Sequence, residues 1–134
     1  MPARVAANAA GAHVYAKLPT TDVTRARRFY VELLRLRPTS ESDRHLWFDA
    51  ADGSSFTVFA SRGRSSGDHD QIGFVVDDFD GEVGDLRRRG VVFEEFPGYT
   101  FVDGVAVEGA WRAVWFRDPD GNLLNVRTRA RRGG

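Results

Sequence analysis

Apolar and polar positions alternate through "HVYAKLP", residues 13–19. Val14, Ala16 and Leu18 fall on one side, and His13, Tyr15 and Lys17 on the other, which is the period of a strand with one buried face. The period then changes. Asp22 can cap a helix that gathers Val23, Ala26, Phe29, Tyr30, Leu33 and Leu34 on one stripe. The same two-part pattern returns at "QIGFVV", where Ile72, Phe74 and Val76 alternate with Gln71, Gly73 and Val75. Asp78 opens a second helix with acids in its first turn and Arg87, Arg88 and Arg89 in its last, an order that complements the helix dipole, and Gly90 suits the stop. Tyr15 precedes Asp22, and Gln71 precedes Asp78, by the same seven residues.

A second echo follows. "LWFDAADGSSFTV" at 46–58 and "VWFRDPDGNLLNV" at 114–126 align on their glycines, so that Leu46, Trp47, Phe48, Asp52 and Gly53 face Val114, Trp115, Phe116, Asp120 and Gly121. In the second copy Asp118, Pro119 and Gly121 occupy the first, second and fourth places of a type I turn. Each half thus reads strand, helix, then three strands ending in the echoed hairpin, and a repeat of this length marks a tandem duplication. The expected organisation is a loose leader over 1–12, one α+β domain over 13–128 and a basic tail over 129–134. Within the domain, module 1 covers about 13–60 and module 2 about 70–128, with a polar linker, "SRGRSSGDH", over 61–69.

The motifs "TTDVTRARRFYVELLRLRP", "VVDD" and "FRDPDGNLLNV", spread over nearly the whole chain, resemble the vicinal oxygen chelate superfamily, which includes glyoxalase I, extradiol dioxygenases and bleomycin-resistance proteins. The resemblance implies tandem βαβββ modules curling a mixed sheet into a cup with the helices outside. It further implies a small-molecule ligand or a metal in the cup, and a homodimer.

The alternation sorts residues between the helix side and the cup. Val14, Ala16, Leu18, Phe56, Val58, Ile72, Phe74, Val76, Leu124 and Val126 are expected under the helices. The cup side then holds His13, Tyr15, Lys17, Ser55, Thr57, Phe59, His69, Gln71, Gly73, Leu123, Asn125 and Arg127, with His45, Trp47 and Trp115 on the hairpins. In metal-dependent relatives the ligands come from the first and last strand of each module; the matching positions here hold Tyr15, Thr57, Gln71 and Asn125. Phenol, hydroxyl and amides lack the imidazole and carboxylate that divalent transition ions take, so no metal cofactor is expected. The alternative is a displaced site at His13 and His69, about 7 Å further along each strand, with His45 as a further ligand. Rim histidines in ordinary hydrogen bonds explain the same pattern. Trp47 and Trp115 suit paired aromatic walls for a flat or cationic ligand, and equally suit core or dimer packing.

Asn125 follows Gln71 by 54 residues whereas Thr57 follows Tyr15 by 42, a surplus of 12. It falls in "FPGYTFVDGVAVEGAW", residues 96–111, which carries Phe101 and reads as a lid, an added edge strand or a dimer arm. The expected ligand-binding set is therefore Tyr15, Trp47, Thr57, Gln71, Phe101, Trp115 and Asn125.

Composition narrows the function classes. Nineteen Lys and Arg balance nineteen Asp and Glu, so nothing overall favours nucleic acid or an anionic membrane. There is no cysteine, which removes disulfides, thiolate metal sites and cysteine nucleophiles. No apolar run reaches membrane-spanning length, and a cytoplasmic location follows by default. No Ser-His-Asp pattern or phosphate loop is visible. The reading that results is a glyoxalase-like protein that binds a small organic molecule without the family's usual metal. A metal-dependent lyase, isomerase or dioxygenase using His13 and His69 is the alternative, and a metal-free enzyme with Tyr15 or a cup histidine as acid or base is a third.

Overall fold

A computed structural model describes residues 13–130. The expected leader, and residues 131–134 of the expected tail, lie outside them. The chain divides between Gly63 and Arg64 into two compact units.

Unit 1 runs β1 (Tyr15–Thr20), α1 (Val23–Arg27), β2 (Ser40–Glu41), β3 (His45–Asp49) and β4 (Ser55–Ala60). Asp22 caps α1 as expected, its Oδ1 accepting from the Arg25 backbone N–H at 3.0 Å. The helix continues as a π-helical turn over Arg28–Leu33, closed by the Leu34 N–H on the Phe29 carbonyl at 2.9 Å. Its stripe buries Ala26 and Tyr30 fully; Val23, Phe29, Leu33 and Leu34 are half-buried. The sheet order is β1-β4-β3-β2, with β1 parallel to β4. Leu18, Leu46, Phe48, Phe56 and Val58 form the buried face, and the Phe48 and Phe56 rings stack 4.8 Å apart. Each such side chain taken from water contributes roughly 1.5–3 kcal/mol. Val14 departs from its expected place: it precedes the first β1 ladder residue and is 69% exposed.

Unit 2 runs β5 (Asp70–Val75), α2 (Phe79–Arg88), β6 (Phe101–Val102), β7 (Val105–Glu108), β8 (Trp111–Arg117) and β9 (Leu123–Arg127), in the sheet order β5-β9-β8-β7-β6. Asp78 caps α2 through the Gly81 N–H at 3.1 Å, and Gly90 ends it at φ +89°. The surplus residues become strand: β6 and β7 form a hairpin that adds an edge to the sheet, so this half has four strands after its helix rather than the expected three.

The duplication is legible in the register. Leu18 pairs with Val58 as Phe74 pairs with Val126, and Lys17 with Thr57 as Gly73 with Asn125. Across the hairpins Trp47 faces Thr57 as Trp115 faces Asn125. One residue breaks the correspondence. Asp70 pairs with Leu123 and Ile72 with Leu124, so Gln71 sits in a β-bulge where Tyr15 of unit 1 pairs normally with Ser55.

The β8–β9 turn is held from inside. The Gly121 N–H reaches the Asp118 carbonyl at 3.0 Å, closing the expected turn. The buried Asp118 carboxylate accepts from the Asp120 and Asn122 N–H groups, both at 2.9 Å, and from the Asn122 side-chain amide at 2.8 Å. Replacing Asp118 with Ala strands these donors and is expected to cost about 2–3 kcal/mol in denaturant unfolding; a loss below about 0.5 kcal/mol would show that the turn does not depend on them.

Candidate functional site

The alternation of β8 and β9 leaves Trp111, Ala113, Trp115, Leu123 and Asn125 on one face of the unit 2 sheet, away from Val114, Phe116, Leu124 and Val126. Residues from the segment before and within the β6–β7 hairpin cover that face. Phe96, Tyr99 and Phe101 pack against a buried cluster of Ala106, Trp111, Ala113, Trp115 and Leu123. Trp115 is the hub. Tyr99 lies 4.9 Å from it, Phe96 meets it edge-on at 5.7 Å, and Phe101 lies 6.1 Å away. Tyr99 also stacks on Trp111 at 6.0 Å. Such offset and edge-to-face pairs hold rings rigid while leaving faces open.

Beside this cluster opens a cleft of about 260 Å³ lined by Asp68, His69, Asp70, Phe96, Tyr99, Trp115 and Leu123. The lining thus combines three aromatic rings and a leucine with two carboxylates and an imidazole. Arg117 ties down the chain next to Asp68. It pairs with Glu94 at 2.8 Å and donates to the Gly67 and Gly121 carbonyls at 3.0 and 3.1 Å. Gly67, at φ +74°, approaches so closely that a Cβ there would lie 2.9 Å from the Arg117 Nη1. Ser65 donates to the buried Asn122 at 2.9 Å. Ser65 and Gly67, in the segment read from sequence as a linker, are thus bonded into the unit that holds the cleft.

The position equivalent to Arg117 in unit 1 is Asp49, and it gathers a different network. Its Oδ1 accepts from Ser55 Oγ at 2.6 Å and Trp47 Nε1 at 3.1 Å, and its Oδ2 from Thr39 Oγ1 at 2.7 Å. Ser55 Oγ also lies 2.9 Å from His13 Nε2. Since the one Ser55 hydroxyl hydrogen goes to Asp49, we assign the hydrogen of the outer bond to His13 Nε2. The three donors, Ser55 first, then Thr39 and Trp47, hold the Asp49 carboxyl below the usual carboxylate range. The three side chains form a His13-Ser55-Asp49 chain of hydrogen bonds, in which the histidine donates to the serine and does not stand between it and the carboxylate, so it is not the Ser-His-Asp arrangement of a nucleophile.

The residues expected to bind ligand fall as follows. Within unit 1, Tyr15 stands 41% exposed with its ring 4.7 Å from that of Trp47. Thr57 is buried and donates to the Leu46 carbonyl at 2.9 Å. Within unit 2, Asn125 repeats that bond, its amide donating to the Val114 carbonyl at 3.3 Å, and Gly73 opposite keeps its Oδ1 uncrowded. Gln71, at the bulge, has a buried Oε1 with no donor among the described residues. Trp115 lines the cleft; Phe101 is not among the lining residues and packs against Tyr99 and Trp115. Of the two alternative metal residues, His13 is bonded to Ser55 and His69 lines the cleft. His45 has both ring nitrogens near hydroxyls, Ser42 at 3.0 Å and Ser40 at 3.2 Å. Sequence reasoning left Asp68, Asp70, Phe96 and Tyr99 out of the expected ligand-binding set.

The fold family's metal positions can be tested on their chemistry. Thr57 and Asn125 each spend a donor on a strand carbonyl, and the four positions together offer no anionic or imidazole ligand; this donor set does not fit a divalent transition ion. Among the described residues no group of three or more His, Asp and Glu is arranged to hold one elsewhere. No helix among them is long and apolar enough to cross a membrane.

A model of the Glyoxalase/Bleomycin resistance protein/Dioxygenase superfamily matches residues 12–126. Among solved structures, one named Oxidase ChaP-H2 is 23% identical, with 89% of this chain and 94% of that chain covered and a TM-score of 0.68. A glyoxalase/dioxygenase from Nostoc punctiforme is 18% identical, with 98% and 99% covered and a TM-score of 0.69. A glyoxalase/bleomycin resistance protein/dioxygenase from Alicyclobacillus acidocaldarius is 20% identical, with 87% and 90% covered and a TM-score of 0.65. These likenesses establish the fold. No curated protein matches the chain.

The Asp49 network carries a pH signature. A carboxyl whose folded pKa is lowered adds stability that is complete above its unfolded pKa, about 3.9, and is lost as pH falls through the folded value. Asp49→Asn is therefore expected to lower the melting temperature at pH 7, with the gap to the parent closing as the pH drops below about 4. A gap that stays constant from pH 7 to pH 3 would remove Asp49 from this role.

Proposed function

Since the chain belongs to the Glyoxalase/Bleomycin resistance protein/Dioxygenase superfamily, as the match over residues 12–126 shows, we propose that it binds a small, flat organic molecule in the unit 2 cleft, with no metal ion in the family's usual positions. One observation carries this reading: the open cleft is lined by Phe96, Tyr99 and Trp115, which are in mutual ring contact, together with Asp68, His69 and Asp70. A concave apolar surface with a few convergent polar groups is the usual form of a small-molecule site. Stacking on Trp115 and Tyr99 supplies affinity, and the Asp68–His69–Asp70 edge supplies orientation. The neutral donor set at Tyr15, Thr57, Gln71 and Asn125 supports binding without metal.

A second reading is a metal-dependent lyase, isomerase or dioxygenase that uses His13 and His69. His69 on the cleft wall favours it, as does the name of the neighbouring oxidase structure.

Titrating the protein with 1-naphthol, read by tryptophan fluorescence, tests the first reading. Saturable quenching is expected, and Trp115→Leu and Tyr99→Leu should each weaken it by about tenfold or more, roughly 1.4 kcal/mol. Unchanged affinity in both variants, at unchanged melting temperature, would move the ligand out of this cleft. Elemental mass spectrometry after incubation with Mn, Fe, Co, Ni, Cu and Zn separates the two readings. The binding reading expects no metal after loose ions are removed; near-stoichiometric metal that disappears in His13→Ala/His69→Ala would establish the second.

A further inference from the structure

The duplication supplies an internal comparison at a place distant from the chemistry considered so far. Both units share the same hydrogen bonds where their parallel strands meet their helices. The Ala60 N–H reaches the Arg44 carbonyl at 2.8 Å in unit 1, as the Thr128 N–H reaches the Arg112 carbonyl at 3.0 Å in unit 2. Asp22 and Asp78 cap their helices through the same atoms. Arg44 therefore corresponds to Arg112, Thr24 to Asp80, Thr21 to Asp77 and Ser61 to Arg129.

In unit 2 this corner is closed by its own charges. Arg112 Nη1 meets Asp80 Oδ1 at 2.6 Å, and Arg129 meets Asp77 Oδ1 through Nη2 at 2.9 Å and Nε at 3.1 Å. In unit 1 both acids are replaced by threonine. What remains is an open cavity of about 370 Å³ lined by Thr21, Arg44, Ala60, Ser61 and Arg62. Among the described residues no acid pairs with Arg44 or Arg62. A third guanidinium stands at its edge, for Arg25 takes the place of Gly81 and donates from Nη2 to Thr21 Oγ1 at 3.1 Å. Ser61 Oγ accepts from the Gly63 N–H at 3.0 Å and so keeps its own hydrogen to give. The carboxylates nearest in sequence are Asp22, whose Oδ1 caps α1, and the exposed Asp43.

We propose that this corner of unit 1 binds an oxyanion, a phosphate or carboxylate group on a small molecule, in the position that carboxylates of the chain itself occupy in unit 2. Guanidinium forks match both groups bidentately, and hydroxyls complete their acceptor shell. The ion pairs of unit 2 are exposed and worth little to the fold. Their loss in unit 1 therefore leaves the structure intact while freeing cationic charge for a ligand. The site rests on unit 1 alone and stands or falls separately from the aromatic cleft.

The test uses the full chain and the arginine Nε–Hε signals in nitrogen-proton NMR spectra. Inorganic phosphate and acetate are titrated separately against sodium chloride at matched ionic strength. Saturable shifts of the Arg44 and Arg62 signals with a dissociation constant on the order of millimolar are expected for at least one oxyanion, and the tighter of the two names the group the site takes. Arg44→Gln and Arg62→Gln should each weaken binding about fivefold or more. The decisive variant is Thr24→Asp, which rebuilds the unit 2 pair: it should fold normally and weaken oxyanion binding about tenfold by placing a carboxylate against Arg44. Shifts no larger than those from chloride would overturn the proposal, as would undiminished affinity in a folded Thr24→Asp protein.

Discussion

The register of two hairpins decides what every side chain in this protein meets. Because strand side chains alternate with a period of two, slipping β3 against β4 by one residue would put Trp47 on the face of Phe56 and Val58 and turn Leu46 and Phe48 to the other side. Two devices resist the slip. Inside each hairpin a side chain reaches back to the partner strand: Thr57 bonds the Leu46 carbonyl, and Asn125 bonds the corresponding Val114 carbonyl. At the end of the second hairpin the Asp118 carboxylate binds the chain on both sides of the glycine. With register fixed, the helix-facing core and the opposite aromatic face are both determined.

That dependence explains what the sequence disclosed. The caps at Asp22 and Asp78, the turn at Asp118 and the two-faced alternation are local rules, and each was readable from a few neighbouring residues. The aromatic cleft was only half readable. Trp115 announced itself by strand phase and its packing partner Phe101 by loop composition, but Asp70 stood just past, and Asp68 within, a stretch whose serines and glycines read as a spacer. Its attachment depends on Arg117 reaching Gly67 from another strand, a contact that no local pattern encodes. The bulge at Gln71 was hidden as well, since an inserted residue leaves composition unchanged while cancelling the equivalence of His69 with His13. The Asp49 network escaped for a related reason: Asp49 pairs with Ser55 across the hairpin, and only that pairing brings a carboxylate into the chain of bonds that begins at His13.

Duplication has kept the frame and released the charges. At one matched position unit 1 has Asp49, which collects hydroxyl and indole donors, while unit 2 has Arg117, which collects carbonyls and a carboxylate. At another, Arg112 is paired with Asp80, whereas Arg44 has no acidic partner among the described residues. Backbone hydrogen bonds and apolar burial are common to both copies and hold the fold, so the polar positions at strand ends are free to differ. The two copies accordingly present different chemistry, an aromatic cleft in one and a cationic cavity in the other.

The parallel pairing of β1 with β4, and of β5 with β9, also bears on how the chain reaches this structure. Hairpin contacts close over a few residues, but the first strand of each unit must wait for its last before any of its ladder can form. Such non-local pairing is the slow part of assembly. On a chain made from its N-terminus, β1 emerges early and stays unpaired until β4 is made, whereas the first unit can finish closing while the second is still being synthesised. The order of the strands thus makes the N-terminal strand of each copy the one that waits longest for its partner.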